Sequence, residues 1–395
     1  MKWQQGTIGD LVSLQRGHDL PDVQRKAGDI PVIGSAGITG YHNVARSKGP
    51  GVTLGRSGAS IGKVTYVDRD FWPHNACLYV TDFRGNSPKF VSYLLKTVPL
   101  AQLNSGAAQP SLNRNFVYGV RISFPDRDQQ DRLAEVLSSY DDLIENNRRR
   151  IELLEEAARQ LYKEWFVRFR FPGHEHVKIV DGIPHGWTNV PAGDFIATHI
   201  GGGWGQDESI GNETEPSYVI RGTDMPSLEN GDISSIGLRY HKPSSLKTRW
   251  LEEGDIVFEV SGGSTTQPVA RSLFVTNEML SNFPDRVICA SFCKRFTFKA
   301  ISESAYFFFK IREDRENGKI LVYQKESASA LKNFNFSAFL QSYMITVPPD
   351  HLLGAFYDHV ELILRNKALL VSQISQLARA RDLLLPKLMS GEIAA

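Results

Sequence analysis

PDRDQQDRLAEVLSSYDDLIENNRRRIELLEEAARQLYKEWF (residues 125–166) and PPDHLLGAFYDHVELILRNKALLVSQISQLARARDLLLPKLM (residues 348–389) are the two stretches that decide the fold. They start 223 positions apart, and each runs 41 positions from its first proline to its last residue. Apolar residues in both step by four and three. The first stripe reads Leu133, Leu137, Tyr140, Ile144, Asn147, Ile151, Leu154, Ala158, Leu161, Trp165. The second reads Phe356, Val360, Ile363, Lys367, Leu370, Ile374, Leu377, Arg381, Leu384, Leu388. A stripe of period 3.5 is a seam for another helix. Two such seams of equal length and phase in one chain predict that they pack on each other, with Asn147, Lys367 and Arg381 fixing register. Each helix packing only on its own globular segment is the plainer alternative.

The helix boundaries follow from local chemistry. Asp126 or Asp128 can cap the first helix, and acidic residues favour its first turns. Phe171-Pro172-Gly173 is its expected stop. The second helix starts after Pro348-Pro349-Asp350, should bend at Pro386, and should stop at Ser390-Gly391.

The duplication extends outward from the helices. Trp3, Gly9-Asp10 and Gly17 reappear as Trp187, Gly193-Asp194 and Gly201, shifted by 184 without a gap. VTLGRSG (residues 52–58) parallels IVFEVSG (residues 256–262). NRNF (residues 113–116) parallels KNFNF (residues 332–336), and RISFP (residues 121–125) parallels MITVP (residues 344–348). The offset grows along the copy, which places insertions mainly around residues 202–215 and 225–250. The chain therefore divides into a globular segment 1–124, a helix 125–172, a globular segment 173–347 and a helix 348–395. Each globular segment alternates short β-rich runs such as 51–54, 62–67 and 254–258 with helical pieces such as 89–95 and 304–311. This predicts a mixed α/β fold built twice, with two long helices between and after the copies, packed antiparallel in a pseudo-two-fold arrangement.

At 395 residues the chain can hold several domains with real cores. It has no signal-type apolar run at its start and no run of about 18 apolar residues, so it reads as a cytosolic protein. Cys77, Cys289 and Cys293 make no disulfide or zinc framework. The net charge of +1 hides an asymmetry. Residues 1–124 carry fourteen Lys and Arg against seven Asp and no Glu, whereas residues 173–347 carry seventeen against twenty-one. The first segment has the electrostatics of a polyanion binder; the second, taken whole, does not.

Catalytic motifs are missing. RSGASIGKV (residues 56–64) resembles a phosphate loop, but three residues separate its glycines and Val64 stands where Ser or Thr should bind magnesium. It reads instead as a turn between strands. Gly201-Gly202-Gly203-Trp204-Gly205 lacks dinucleotide spacing. VPPD (residues 347–350) lacks the order that an amino-methyltransferase uses to hold a flipped base. No Asp or Glu stands two residues before any Lys, so the acid–any–lysine core of metal-dependent nucleases is absent. His174-Glu175-His176 follows a helix stop and belongs to a linker. No catalytic residue and no metal ligand is assigned.

What the chain does offer is groups that can read a duplex: Arg or Lys for guanine, Asn or Gln for adenine, hydroxyls and cations for backbone. In the first segment the candidates are Ser35, His42, Asn43, Arg46, Lys48, Arg56, Ser57, Gln109, Ser111, Asn113 and Arg114. In the second they are Arg221, Thr223, Arg239, His241, Lys242, Lys247, Thr248, Arg249, Ser261, Lys332 and Asn333. Each alone reads better as ordinary solvated surface; grouped in turns beside positive charge they form reading surfaces. Arg56-Ser57 and Ser261 hold equivalent places in the two copies.

Three strings carry a resemblance to a known family. RDLLLPKLMSGEI (residues 381–393) resembles the C-terminal signature of specificity subunits of type I restriction-modification enzymes. IPHGW (residues 183–187) resembles the opening of their target recognition domains, and FPDRDQQDRLAEVLSSYDDLIENNRRRIELLEE (residues 124–156) their central conserved helix. The resemblance spans essentially the whole chain in the expected order. It implies a non-catalytic reader of double-stranded DNA. Each recognition domain would read one half of an asymmetric bipartite target, and the helices would form a spacer that sets the gap. Two modification subunits would dock and bring S-adenosylmethionine to flip and methylate adenine; restriction subunits would add ATP- and Mg2+-dependent translocation and cleavage. No cofactor is expected in this chain itself. Two departures stand out: the second recognition domain is acidic, and the first helix ends YKEWFVRFRFPG. The competing functional classes are a self-sufficient DNA enzyme and a coiled-coil scaffold that binds no nucleic acid.

Overall fold

The computed structural model describes residues 3–103, 111–263, 267–326 and 332–394. The chain divides into two compact units, Met1–Glu145 with Gln376–Ala395, and Asn146–Ser375. The division falls inside both long helices, Arg127–Tyr162 and Asp350–Ser390.

The first unit is built on a four-stranded antiparallel sheet in the order Ser13–Arg16, Cys77–Asp82, Gly51–Gly55, Val64–Val67. Beside it lies a three-stranded sheet, Gly37–His42, Ile30–Gly34, Trp72–Pro73, whose first pair is antiparallel and second parallel. Strand Trp3–Thr7 pairs with Arg121–Pro125, tying the start of the unit to the residues that lead into the first long helix. The expected 51–54 run is the strand Gly51–Gly55, and the glycine-rich loop after it is a turn, with a short 3-10 helix at Gly58–Ser60. Gly58 and Gly62 there take φ of 72° and 78°. That left-handed backbone suits glycine, and at Gly62 a Cβ would also stand 2.9 Å from the Ala101 amide nitrogen.

The second unit repeats both of these sheets in the same strand order. Its four-stranded sheet runs Thr198–Gly201, Cys293–Thr297, Ile256–Glu259, Ser272–Phe274. Its three-stranded sheet runs Leu238–His241, Glu215–Ile220, Val287–Cys289, again antiparallel then parallel. Thr188–Pro191 pairs with Met344–Val347 as Trp3–Thr7 pairs with Arg121–Pro125. Helix Pro88–Thr97 has its counterpart in the longer Ile301–Glu316. One glycine match needs correcting. The amide of Gly17 donates to the Cys77 carbonyl at 3.0 Å, and it is Gly202, not Gly201, that donates to Cys293 at 3.1 Å. A Cβ on either Gly17 or Gly202 would meet a carbonyl oxygen at 2.1 Å. Close backbone approach, rather than turn geometry, therefore demands glycine at both places.

The long helices pack by their seams within each unit. In the first unit Leu133 and Leu137 are fully buried with Leu388 and Met389 in one apolar cluster that includes Ile8, Leu54 and Phe90. There Arg381 pairs with Asp141 at 2.6 Å. Tyr140, Leu377 and Leu384 are half-buried and Ile144 is buried. In the second unit Ile151, Leu370 and Val371 form a cluster flanked by Leu154 and Ile374. Asn147 donates to Gln373, and Lys367 pairs with Glu155. Partner numbers fall on one helix as they rise on the other, so the pair is antiparallel. Toward the globular part Phe356 meets Trp165 and Phe166, with ring centroids 6.1 and 4.9 Å apart. Val360 is buried in the same core, and Leu161 and Ile363 pack on it. Each such buried side chain contributes roughly 1.5–3 kcal/mol against exposure.

The first helix ends before the expected Phe171 and the second ends at the expected Ser390. The first leaves α geometry at Tyr162 and passes through a π-turn, Lys163–Val167, that sets Trp165 and Phe166 into the core. The second runs through Pro386 and stops at Ser390, as expected. Among the described residues no helix is long and apolar enough to cross a membrane.

Candidate nucleic-acid interface

The first unit brings four of its candidates to one corner, where the three-stranded sheet meets the end of the central strand Gly51–Gly55. The Ser35 hydroxyl donates to the Ser57 carbonyl at 2.7 Å. Ser57 bridges to Ser111 in an antiparallel β-bridge, and the Leu112 amide donates to the Arg56 carbonyl at 2.8 Å. The Arg56 guanidinium donates to the Asn75 carbonyl at 3.3 Å, which holds it against the 74–76 loop. Gly55 is required here, because a Cβ would stand 2.1 Å from the Ser60 carbonyl. Asn113 caps helix Arg114–Tyr118 by accepting from the Asn115 amide at 3.0 Å. Arg114, exposed beside it, reaches the Leu14 carbonyl. Gln109 lies outside the described residues.

A second group lies on and after strand Gly37–His42. Asn43, Arg46 and Lys48 are exposed. Arg46 stands over the Trp72 ring at 5.8 Å, so a fixed cation sits on an aromatic face. His42 does not belong to this surface. It is 7% exposed, accepts from the Lys26 amide at Nδ1 and meets Trp72 edge-on. It is a core residue. His18, which the sequence did not single out, contacts Tyr79 and Trp72, and burial together with the Arg46 charge lowers its pKa.

The equivalent corner of the second unit is built from the equivalent segments with different side chains. Strand Ser261–Gly263 pairs with Lys332–Phe334, and the Ser261 hydroxyl donates to the Asn333 side chain at 2.5 Å. Ser261 and Asn333 thus stand where Ser57 and Ser111 stand in the first unit, with Lys332 adjacent. Thr223, Lys242, Lys247 and Thr248 are exposed.

Four candidates in this unit are committed elsewhere. Arg221 forms a two-pronged pair with the buried Asp224, at 2.8 and 2.7 Å, and donates to the Ser235 carbonyl. Arg239 pairs with Asp207 and lies over Trp204 at 4.6 Å, with only 16% of its side chain exposed. Arg249 donates to the Gly201 and Ser245 carbonyls, and so braces two turns. His241 is 4% exposed against Gly203 and Gly205, and burial lowers its pKa. These contacts hold loops in place and tie up groups that would otherwise be offered to a base edge. His174 of the linker triplet bonds the Phe171 carbonyl through Nδ1 at 2.8 Å.

Residues 1–156, which include the first unit's sheets and most of the first long helix, match the type I restriction modification DNA specificity domain. The chain is 26% identical to the type I restriction enzyme MjaIX specificity subunit of Methanocaldococcus jannaschii, over 99% of this chain and 93% of that one. It is 24% identical to the EcoprrI specificity subunit of Escherichia coli over 35% of each chain. A crystal structure of a type I restriction-modification S subunit from M. genitalium has the same fold, with a TM-score of 0.59 at 14% identity, covering 98% of this chain and 96% of that one. Residues 1–156 thus carry the match to that domain, and the chain as a whole is similar to a type I specificity subunit.

Proposed function

We propose that this chain is the non-catalytic DNA-reading subunit of a type I restriction-modification complex, and that each unit reads one half of an asymmetric bipartite target. The observation that carries this is the doubled corner. The same strand-end geometry presents Ser35, Arg56, Ser57 and Ser111 in one copy and Ser261, Lys332 and Asn333 in the other. Equivalent positions with different hydrogen-bonding groups suit two different half-sites, because base edges are told apart by their donor and acceptor patterns. The exposed Arg46, Lys48, Lys242 and Lys247 suit phosphate contacts, which position without specifying.

In this reading the antiparallel helices set the unread gap and dock two modification subunits. Those subunits supply S-adenosylmethionine and adenine methylation, and restriction subunits add ATP- and Mg2+-dependent translocation and cleavage. A cytoplasmic location goes with that role. Methylome mapping in a host that carries this chain with its modification partner tests the proposal. It should show a methylated two-part sequence with a spacer of constant length. A single uninterrupted site would sink it.

A further inference from the structure

We infer that the second unit contains a binding site for a small organic cation with an apolar body, independent of DNA reading. A cavity of about 500 Å³ lies between the long helices and helix Ile301–Glu316. That is the size of ordinary small-molecule sites, roughly 300–1,000 Å³. Leu228, Leu273, Phe274, Phe308, Phe309 and Ile363 give it an apolar and aromatic wall.

The charged lining is one-sided, with seven glutamates against three basic residues. Four of those glutamates are matched by cations of the lining, and Glu313 by Lys163, which is not part of it. Glu155 pairs with Lys367, Glu229 with Arg312, and Glu156 and Glu316 share Arg159. Glu152 and Glu278 have no paired cation among the described residues. Glu313 is the decisive group. It is 8% exposed, and its Oε1 accepts from Asn317 and faces Lys163 at 3.0 Å, but its Oε2 is buried with no hydrogen-bond partner among the described residues. A buried carboxylate oxygen left unpaired is costly, and a cation supplied from outside would satisfy it.

The wall already shows the chemistry such a guest would use. The Arg312 guanidinium sits over the Phe308 ring at 5.2 Å while it bonds Glu229 at 2.9 Å. A guest ammonium or amidinium held by Glu313 with its apolar part against Phe274 and Phe309 repeats that arrangement. A neutral apolar guest leaves the carboxylates unmatched, and a hydrophilic polycation leaves the aromatic wall bare.

Isothermal titration calorimetry on the full chain tests this with three probes: phenethylammonium, its neutral analogue 2-phenylethanol, and spermidine. One phenethylammonium should bind per chain, at least about tenfold tighter than either other probe. Glu313→Gln, which keeps the hydrogen bonds and removes the charge, should weaken it about fivefold or more. Met279→Trp, which fills the cavity from its half-buried lining, should abolish it. Circular dichroism checks that both variants fold; if either does not, probe selectivity on the unaltered chain decides. No binding at millimolar phenethylammonium, equal affinity for the alcohol, or undiminished binding to folded Met279→Trp would overturn the assignment.

Discussion

Asn147 donates its side-chain amide to the Gln373 carbonyl oxygen at 3.2 Å, across the helix pair of the second unit. Asn147 is 5% exposed, so this contact occupies a polar group inside an apolar seam. Gln373→Ala should cost about 1–2 kcal/mol, because it leaves the buried Asn147 amide without this partner. Urea denaturation monitored by circular dichroism measures it. Asn147→Ala leaves only the exposed Gln373, which can turn to water, so it should cost less than half as much. Equal costs would mean that the bond itself, not the burial, matters.

Ile151 and Leu370 share one small cluster with Val371. Ile151→Ala and Leu370→Ala should each destabilise by about 2–4 kcal/mol, from lost transfer energy and the cavity left behind. Because the two residues share their neighbours, the double variant should lose less than the sum. Strict additivity in a double-mutant cycle would show that they do not share a packing site.

Asp255 pairs with Arg295 at 2.7 Å and accepts from the Glu252 amide, yet burial pushes its carboxyl up to about 6. A raised carboxyl binds its proton more tightly folded than unfolded. Its contribution is therefore fully present below the unfolded value near ~4 and is lost as pH rises through about 6. Asp255→Asn cannot titrate. The stability of wild type relative to that variant should fall by on the order of 2–3 kcal/mol between roughly pH 4 and pH 7. A flat difference across that window would refute the assignment.

Burial pushes the thiols of Cys77 and Cys289 up to about 12 and Cys293 well above the ordinary range. All three are free and buried. The thiolate is the reactive form, so the native chain should resist iodoacetamide at about pH 8. The urea-unfolded chain should take up three labels, counted by intact mass. Rapid labelling of the native chain would place at least one thiol nearer solvent.

At the proposed interface, Asn333→Ala should change preference at one position of one half-site only, by roughly tenfold to a hundredfold or about 1–3 kcal/mol. Lys247→Ala should instead weaken binding to all sequences alike and shallow the salt dependence by about one unit of log–log slope. Fluorescence anisotropy of the assembled complex on variant duplexes separates the two. A half-site change from Lys247→Ala would reverse their roles.

The helices and the duplication were legible because they leave periodic or repeated marks. Leu133 to Leu161 and Phe356 to Leu384 keep one phase, and Trp3 and Trp187 head matching segments. The sheet order was not legible. Strands such as Trp72–Pro73 and Val287–Cys289 are two or three residues long, and their parallel partners lie some forty to seventy positions away. The candidate site was legible in part. Residue type locates a guanidinium but not its partner. Arg221 is taken by Asp224, three positions on, whereas Arg239 is taken by Asp207, thirty-two positions back. The first pairing carried a local signal, an Arg and an Asp one turn apart; the second carried none. His42 and His241 went astray for a related reason: both end strands of the three-stranded sheets and turn inward, and no neighbouring residue announces which face they take.

The placement of Gln376–Ala395 in the first unit has a consequence for how the protein is made. Leu388 and Met389 complete the same apolar cluster as Ile8 and Leu54, and a Cβ on Gly391 would stand 2.6 Å from the Trp3 indole nitrogen. The unit that leaves the ribosome first therefore cannot close its core until these late residues emerge, after the whole second unit has been synthesised. Early in synthesis it holds an open apolar face, and a nascent chain stalled before Gln376 should be most vulnerable to proteases in its oldest part.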